Sequence, residues 1–307
     1  MYYPYLRGRK YELLALREFA ENSVRKNNVI PIIEPVKSSN SDFKLAIPKM
    51  INGGLKFALI LNPYNGDFKN SNFSLDGIDD LLINTDYWIP AFIIKNNYIE
   101  VKKLIDFYNY ENVMLICTDL TDTNAVDFQK LALSKPVNYI VHKDKRVLNK
   151  LAIDGNKDLI ILDDNFNVQK RNIDYLPMSE EKFSDEHLLY NQERFVGFSD
   201  YTCLSSQFKE GGSAPYAVAI HLTYQKPNKE IWIRHFTSTI NSTSQANIQG
   251  KFAEAAGKAI KFIDANGIST KATEELKKYY GELRYPGLGV AKKMSVKHHI
   301  ELINNIL

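Results

Sequence analysis

Up to residue 201 the chain repeats one pattern: an apolar run of strand length, then in most cases a segment of helical period. The runs are residues 3–7 (YPYLR), 29–36 (VIPIIEPV), 57–62 (FALILN), 87–95 (YWIPAFIIK), 113–119 (VMLICTD), 137–142 (VNYIVH), 158–164 (DLIILDD) and 195–201 (FVGFSDY). The first helical segment, 12–27, carries Leu13, Leu16, Ala20 and Val24 at helical spacing. Others start near Asp42 and end at Asn52-Gly53-Gly54, span 75–83, span 98–110 with Val101, Leu104, Ile105 and Tyr108 on one face, span 125–133, and span 145–153 closed by Gly155. A longer loop and a short helix at 185–191 precede the last run. Strands covered on both faces read as continuous apolar runs, and parallel neighbours need crossovers, which the helices supply. Eight such units predict an α/β fold of the (β/α)8 TIM-like barrel type. A doubly wound open α/β sheet is the alternative, because strand count alone does not establish closure.

Beyond residue 201 the pattern changes. Residues 217–224 (AVAIHLTY) and 231–236 (IWIRHF), joined by Lys226-Pro227-Asn228-Lys229, alternate as a β-hairpin inserted after strand eight. Residues 245–265 form an amphipathic helix with Ile248, Phe252, Ala256, Ala259 and Ile263 on one stripe. Two further helices, 273–283 and 296–307, are separated by the breaker Pro286-Gly287-Leu288-Gly289. The expected organisation is a single domain over 1–307, with the barrel and hairpin 217–236 occupying about 1–265 and the last helices, about 266–307, capping it.

With 39 Lys and Arg against 36 Asp and Glu, the net charge of +3 gives no bulk attraction to nucleic acid, so any basic character has to be local. Nucleic acid stays open as a partner on that local basis. The two cysteines, Cys117 and Cys203, form no disulfide framework and suit a reducing, cytoplasmic setting. The opening residues contain no apolar signal core, and no apolar stretch reaches the roughly 18 residues that cross a bilayer, so no membrane role is expected.

In such a barrel the C-terminal ends of the strands converge on one mouth. Those ends supply Arg7, with Arg9, Lys10 and Glu12 beyond it; Glu34 and Lys37; Asn62; Lys95; Asp119; His142, Lys143 and Asp144; Asp163 and Asp164; and Asp200 with Tyr201. The hairpin adds His221, Arg234 and His235. The arginines suit bidentate grip of phosphate or carboxylate and the lysines act as point charges, unless they only pair with neighbouring acids at the rim. Arg7, Lys10, Lys37, Lys95, His142, Tyr201, Arg234 and His235 are the expected ligand-binding set. Glu34, Asp200 and His221 are the catalytic candidates. Glu34, Asp119, Asp163 and Asp200 are candidate ligands for Mg²⁺ or Mn²⁺, which prefer oxygen donors. The alternative for each aspartate is capping of the next helix, and Asp163 and Asp164 point to opposite faces of an extended strand. His298 and His299 fall on the terminal helix, one expected inward and one solvated.

Familiar motifs are absent. Gly287-Leu288-Gly289 lacks a third glycine and a preceding strand, and no phosphate-binding lysine loop or nucleophile elbow occurs. Leu6-Arg7-Gly8 followed by Glu34 is similar to the opening of barrel-type glycerophosphodiester phosphodiesterases, but that family has His where this chain has Leu6.

The segments YPYLRGRKYELLAL, IPIIEPV, GFSDYT, AVAIHLTY with RHF, and VKHHIEL together resemble the phage and bacterial "beta protein" family over nearly the whole chain. The resemblance implies a protein of unassigned chemistry from mobile or defence-associated loci, often encoded beside a nuclease-like protein. It marks Arg7, Lys10, Glu12, Glu34, Asp200, Tyr201, His221, Arg234 and His235. The expectation is a barrel that binds an anionic, phosphorylated or nucleotide-like ligand in phage defence or phage-host conflict, with metal-assisted phosphoryl or phosphodiester chemistry if it is an enzyme. The alternative is a non-catalytic regulatory partner of the neighbouring nuclease-like protein.

Overall fold

In a computed structural model of the chain, residues 1–23, 26–83, 85–154, 156–211 and 214–307 are described. Val24 and Gly155, given helical roles above, lie outside them. The elements are β1 (Tyr5–Leu6), α1 (Lys10–Asn22), β2 (Ile32–Ile33), α2 (Ser41–Asn52), β3 (Phe57–Ile60), α3 (Asp79–Leu82), β4 (Trp88–Ile94), α4 (Tyr98–Phe107), β5 (Val113–Cys117), α5 (Val126–Ala132), β6 (Val137–His142), α6 (Lys145–Asp154), β7 (Asp158–Asp163), β8 (Glu180–Ser184), α7 (Glu186–Leu189), β9 (Gly197–Asp200), β10 (Ala219–Gln225), β11 (Ile231–Thr237), α8 (Ile248–Ala265), α9 (Lys271–Gly281) and α10 (Leu288–Ile306). By its internal contacts the chain divides into two compact units. One comprises Met1–Leu13, Arg25–Asp164 and Glu186–Asp200; the other comprises Leu14–Val24, Asn165–Asp185 and Tyr201–Leu307.

The first unit holds eight parallel strands in the order β1-β2-β3-β4-β5-β6-β7-β9. Its two edges meet through Tyr2, which bridges Val29 on one side and Phe198 on the other. The Phe198 N–H donates to the Met1 carbonyl at 3.1 Å and the Tyr3 N–H to the Phe198 carbonyl at 2.8 Å. This joining decides for the (β/α)8 barrel over the open sheet. The register also defines the inner face. Tyr5, Ile32, Ala58 and Ile89 are cross-strand partners, as are Ile60, Ala91, Met114, Tyr139 and Asp158, then Ile160 and Gly197. Tyr3, two residues before Tyr5, meets Tyr139 of β6 ring to ring at 6.5 Å, so this set faces the interior and the alternate residues face outward.

The second unit is built on an antiparallel sheet in the order β10-β11-β8. The expected hairpin is present, with His221 opposite His235 and Leu222 opposite Arg234. β8 was expected as loop; its sequence EEKFS carries one apolar residue and becomes a strand by pairing with β11. Ile220, Leu222 and Phe236 pack with Phe252, Ala256, Ala259 and Ile263 of α8, Leu276 of α9 and Met294 of α10 in one core. α10 starts at Leu288, directly after the Pro286-Gly287 breaker and ahead of the expected start at Val296. His298 and His299 are both fully buried, contrary to the expectation of one solvated ring. Contacts on several sides enclose this helix: His298 meets the Thr223 carbonyl at 2.7 Å and the Thr270 hydroxyl at 2.9 Å, and His299 meets the Thr223 hydroxyl at 2.9 Å. Among the described residues no helix is long and apolar enough to cross a membrane.

Candidate functional site

The interior end of the barrel is organised by Glu34, which follows β2 and is fully buried. Its Oε2 accepts from the Tyr5 hydroxyl at 2.8 Å and from Nη1 of Arg7, while Oε1 accepts from Asn65 Nδ2 at 2.9 Å. The Arg7 guanidinium also lies 4.9 Å from the centre of the Tyr5 ring. Glu12, in the first turn of α1, reaches back and accepts the Arg7 backbone N–H at 2.6 Å, which fixes the β1–α1 turn. Gly8 makes that turn possible: it adopts φ +59°, and a Cβ there would sit 2.9 Å from the Phe43 ring and 3.0 Å from the Glu34 carbonyl. Arg7 and Glu34, expected at a shared mouth as ligand clamp and as catalytic or metal-binding residue, are brought together as a buried ion pair.

Other expected cations are placed at the rim. Lys37 pairs with Asp67 at 3.2 Å, both partly exposed, and Lys143 pairs with Asp119 where both are well exposed. Lys10 is exposed on the first turn of α1. His142 is buried at the end of β6, on the outward set, and its Nδ1 accepts from the Asp144 N–H at 2.8 Å. Burial lowers its pKa against the pull of Asp144.

Asp163 and Asp200 stand opposite each other in register on β7 and β9. Alternation puts both on the outward face, away from the interior set to which Tyr5 belongs. Asp200 is buried and accepts the Tyr2 hydroxyl at 2.7 Å. Among the described residues no three His, Cys, Asp or Glu side chains gather in an arrangement that could hold a metal ion. The four carboxylates considered for Mg²⁺ or Mn²⁺ are thus spread over an interior pair, a rim pair and an outward pair.

Two residues absent from the sequence-based set complete the mouth. Tyr64 and Asn65 follow β3, just past Asn62, whose amide is used up in two 2.8 Å bonds to the Ile93 backbone. Lys95 Nζ lies 3.6 Å from the centre of the Tyr64 ring. Burial raises the Tyr64 pKa, with the charge of Glu34 adding to it and that of Arg7 opposing. Tyr64 and Lys95 also line a cleft of about 960 Å³ that runs past Asn70, Asn72, Phe73 and Tyr108. The signal in the sequence was the Asn-Pro-Tyr-Asn run after the third strand, where an aromatic beside amides leaves an apolar run and enters a loop.

In the second unit, strand alternation divides the hairpin residues. Arg234 donates to Glu180 at 3.1 Å and stacks 4.8 Å over Phe262 of α8. His235, one residue on, faces the other side of the sheet with His221; their Nδ1 atoms are 2.7 Å apart. Tyr201 opens the last segment of this unit and is partly buried. Comparison with protein families, with curated proteins and with solved structures finds no match for this chain.

Proposed function

We propose that the barrel mouth binds an anionic, nucleotide-like ligand. The observation that carries this reading is Lys95, seated over the Tyr64 ring at the edge of the cleft. Among the described residues no carboxylate pairs with Lys95, so its charge is available to a phosphate, while Tyr64 and Tyr108, both exposed residues, put aromatic side chains along the same cleft for a planar ring. The amides of Asn70 and Asn72 supply hydrogen-bonding groups along the same wall. On the resemblance to the beta protein family, this binding serves phage defence in the cytoplasm, alongside a nuclease-like partner protein. Phosphoryl or phosphodiester chemistry, with Mg²⁺ or Mn²⁺, belongs to the same reading only if ligand or substrate supplies the remaining metal donors.

Thermal unfolding in the presence of nucleoside mono-, di- and triphosphates and of inorganic phosphate, each with and without Mg²⁺, tests the proposal. A ligand at 100 times its Kd adds about 2.7 kcal/mol of stability. Lys95→Met and Tyr64→Ala are expected to abolish the shift while leaving the unliganded melting temperature nearly unchanged. No shift from any of these compounds overturns the binding reading. The second reading, a non-catalytic regulator of a partner protein, is favoured by the way protein donors occupy both oxygens of Glu34. Full protection by Lys95→Met and Tyr64→Ala in a phage challenge selects it over ligand binding.

A further inference from the structure

Three adjacent strands of the antiparallel sheet each place one ionisable group on the same face. Glu181 comes from β8, His235 from β11 and His221 from β10. His235 and His221 are directly opposed in register, and Glu181 is opposed to Ile233, two residues before His235 on the same side. We propose that Glu181, His235 and His221 form a proton relay whose outlet is Nε2 of His221, built to take a proton from the hydroxyl of a substrate or from an attacking water.

The hydrogen bonds fix the direction of the relay. His235 Nε2 lies 3.3 Å from Glu181 Oε1, and an ionised carboxylate only accepts, so this nitrogen carries the proton. A neutral His235 then has an unprotonated Nδ1. The 2.7 Å contact between the two Nδ1 atoms needs one donor, which is His221 Nδ1–H. His221 is left with its lone pair on Nε2, and the residue is half-buried while the His235 side chain is fully buried. Asn167 Nδ2 holds the second Glu181 oxygen at 3.3 Å. Tyr175 packs against both imidazoles at 4.5 and 4.8 Å, and Phe166 meets His221 at 5.1 Å, so neither ring turns freely. Burial lowers the pKa of both histidines, with Glu181 opposing it at His235, and keeps the two imidazoles neutral at rest.

In the step itself the substrate O–H bond breaks and an N–H bond forms at His221 Nε2. The His221 Nδ1 proton crosses to His235 Nδ1. His221 returns to neutrality and the positive charge rests on His235 beside Glu181, while the oxygen keeps the electron pair as the nucleophile. His221 is the group that meets substrate; His235 and Glu181 are positioning residues.

Long-range ¹⁵N–¹H spectra of the full chain labelled at its six histidines read the tautomers directly at about pH 7. His221 is expected as the Nδ1–H form and His235 as the Nε2–H form; the reverse assignment overturns the relay. Diethyl pyrocarbonate is the chemical probe: His221 should be acylated ahead of the other histidines. Glu181→Gln preserves shape and the hydrogen bond from His235 but removes the charge, and should slow that acylation by about tenfold, the effect of one pKa unit of basicity. An unchanged rate in a Glu181→Gln protein with wild-type tautomers shows a structural histidine pair and overturns the proposal.

Discussion

Removing the Glu34 side chain tests how the barrel mouth is held. Glu34 is 0% exposed, and Arg7, its ion-pair partner, is 8% exposed. Breaking one side of a buried pair costs about 3–5 kcal/mol because the remaining charge keeps its desolvation penalty. The Tyr5 and Asn65 donors, at 2.8 and 2.9 Å, also lose their acceptor. Each such bond is worth about 1 kcal/mol, part of which is returned by water entering the vacated space. Glu34→Ala should therefore destabilise the protein by about 4–5 kcal/mol. At about 2–4 °C per kcal/mol, the melting temperature falls by at least about 8 °C. Urea unfolding of Glu34→Ala, Arg7→Met and the double variant Arg7→Met/Glu34→Leu measures the coupling. The double variant should be more stable than Glu34→Ala, since it leaves no uncompensated charge. A loss below about 1 kcal/mol for Glu34→Ala, the worth of an exposed pair, would refute the buried-pair reasoning.

Further outcomes follow from the same geometry. Gly8→Ala should cost about 2–4 kcal/mol, from left-handed backbone strain and the clash with Phe43 and the Glu34 carbonyl; a thermal melt within error of wild type would show that the turn relaxes. In the second unit, Lys293 lies 2.7 Å from both Glu18 and Glu275 with a side chain 3% exposed. Lys293→Met should cost about 2–3 kcal/mol in urea unfolding, less than a fully buried pair because the two carboxylates are partly exposed and Lys297 still holds Glu18. Burial raises the Glu18 pKa, but hydrogen bonds and charge from Lys293 and Lys297 outweigh it and leave a net lowering. That contribution is fully present above the unfolded carboxyl value of about 4.3 and is lost as pH falls through the lower folded value. Burial lowers the Lys293 pKa, but bonds to Glu18 and Glu275 leave a net rise, so its contribution is present below about 10.4 and is lost as pH climbs through the folded value. Stability measured from about pH 3 to 7 should therefore fall more steeply toward acid in wild type than in Lys293→Met, and parallel curves would count against the pair.

The repeated apolar runs made the barrel strands legible, since burial on both faces leaves a mark in local composition. Residues 137–142 became β6 over the expected range, and the other runs became strands within or close to theirs. The hairpin was equally readable from its alternation. β8 was not, because the EEKFS segment has almost no apolar content and owes its extended form to β11. His299 could not be placed from helical period alone, since α10 is packed on several faces.

The candidate site divides in the same way. Arg7 and Glu34 were identifiable as strand-end residues, and their pairing follows from two adjacent strands ending level. Tyr64 lay beyond the end of its run, and its relation to Lys95 exists only once the loop after β3 folds back. Asp163 and Asp200 sit at strand ends like Glu34, but the face each residue presents depends on where alternation is anchored. The sequence alone determined the order of strands and helices and the residue types available at their ends, because these depend on neighbours along the chain. Tertiary structure decided closure through Tyr2, the inward and outward assignment of charges, and the docking of Glu181 on β8 beside the hairpin that carries His235 and His221, because each depends on register between segments far apart in the chain.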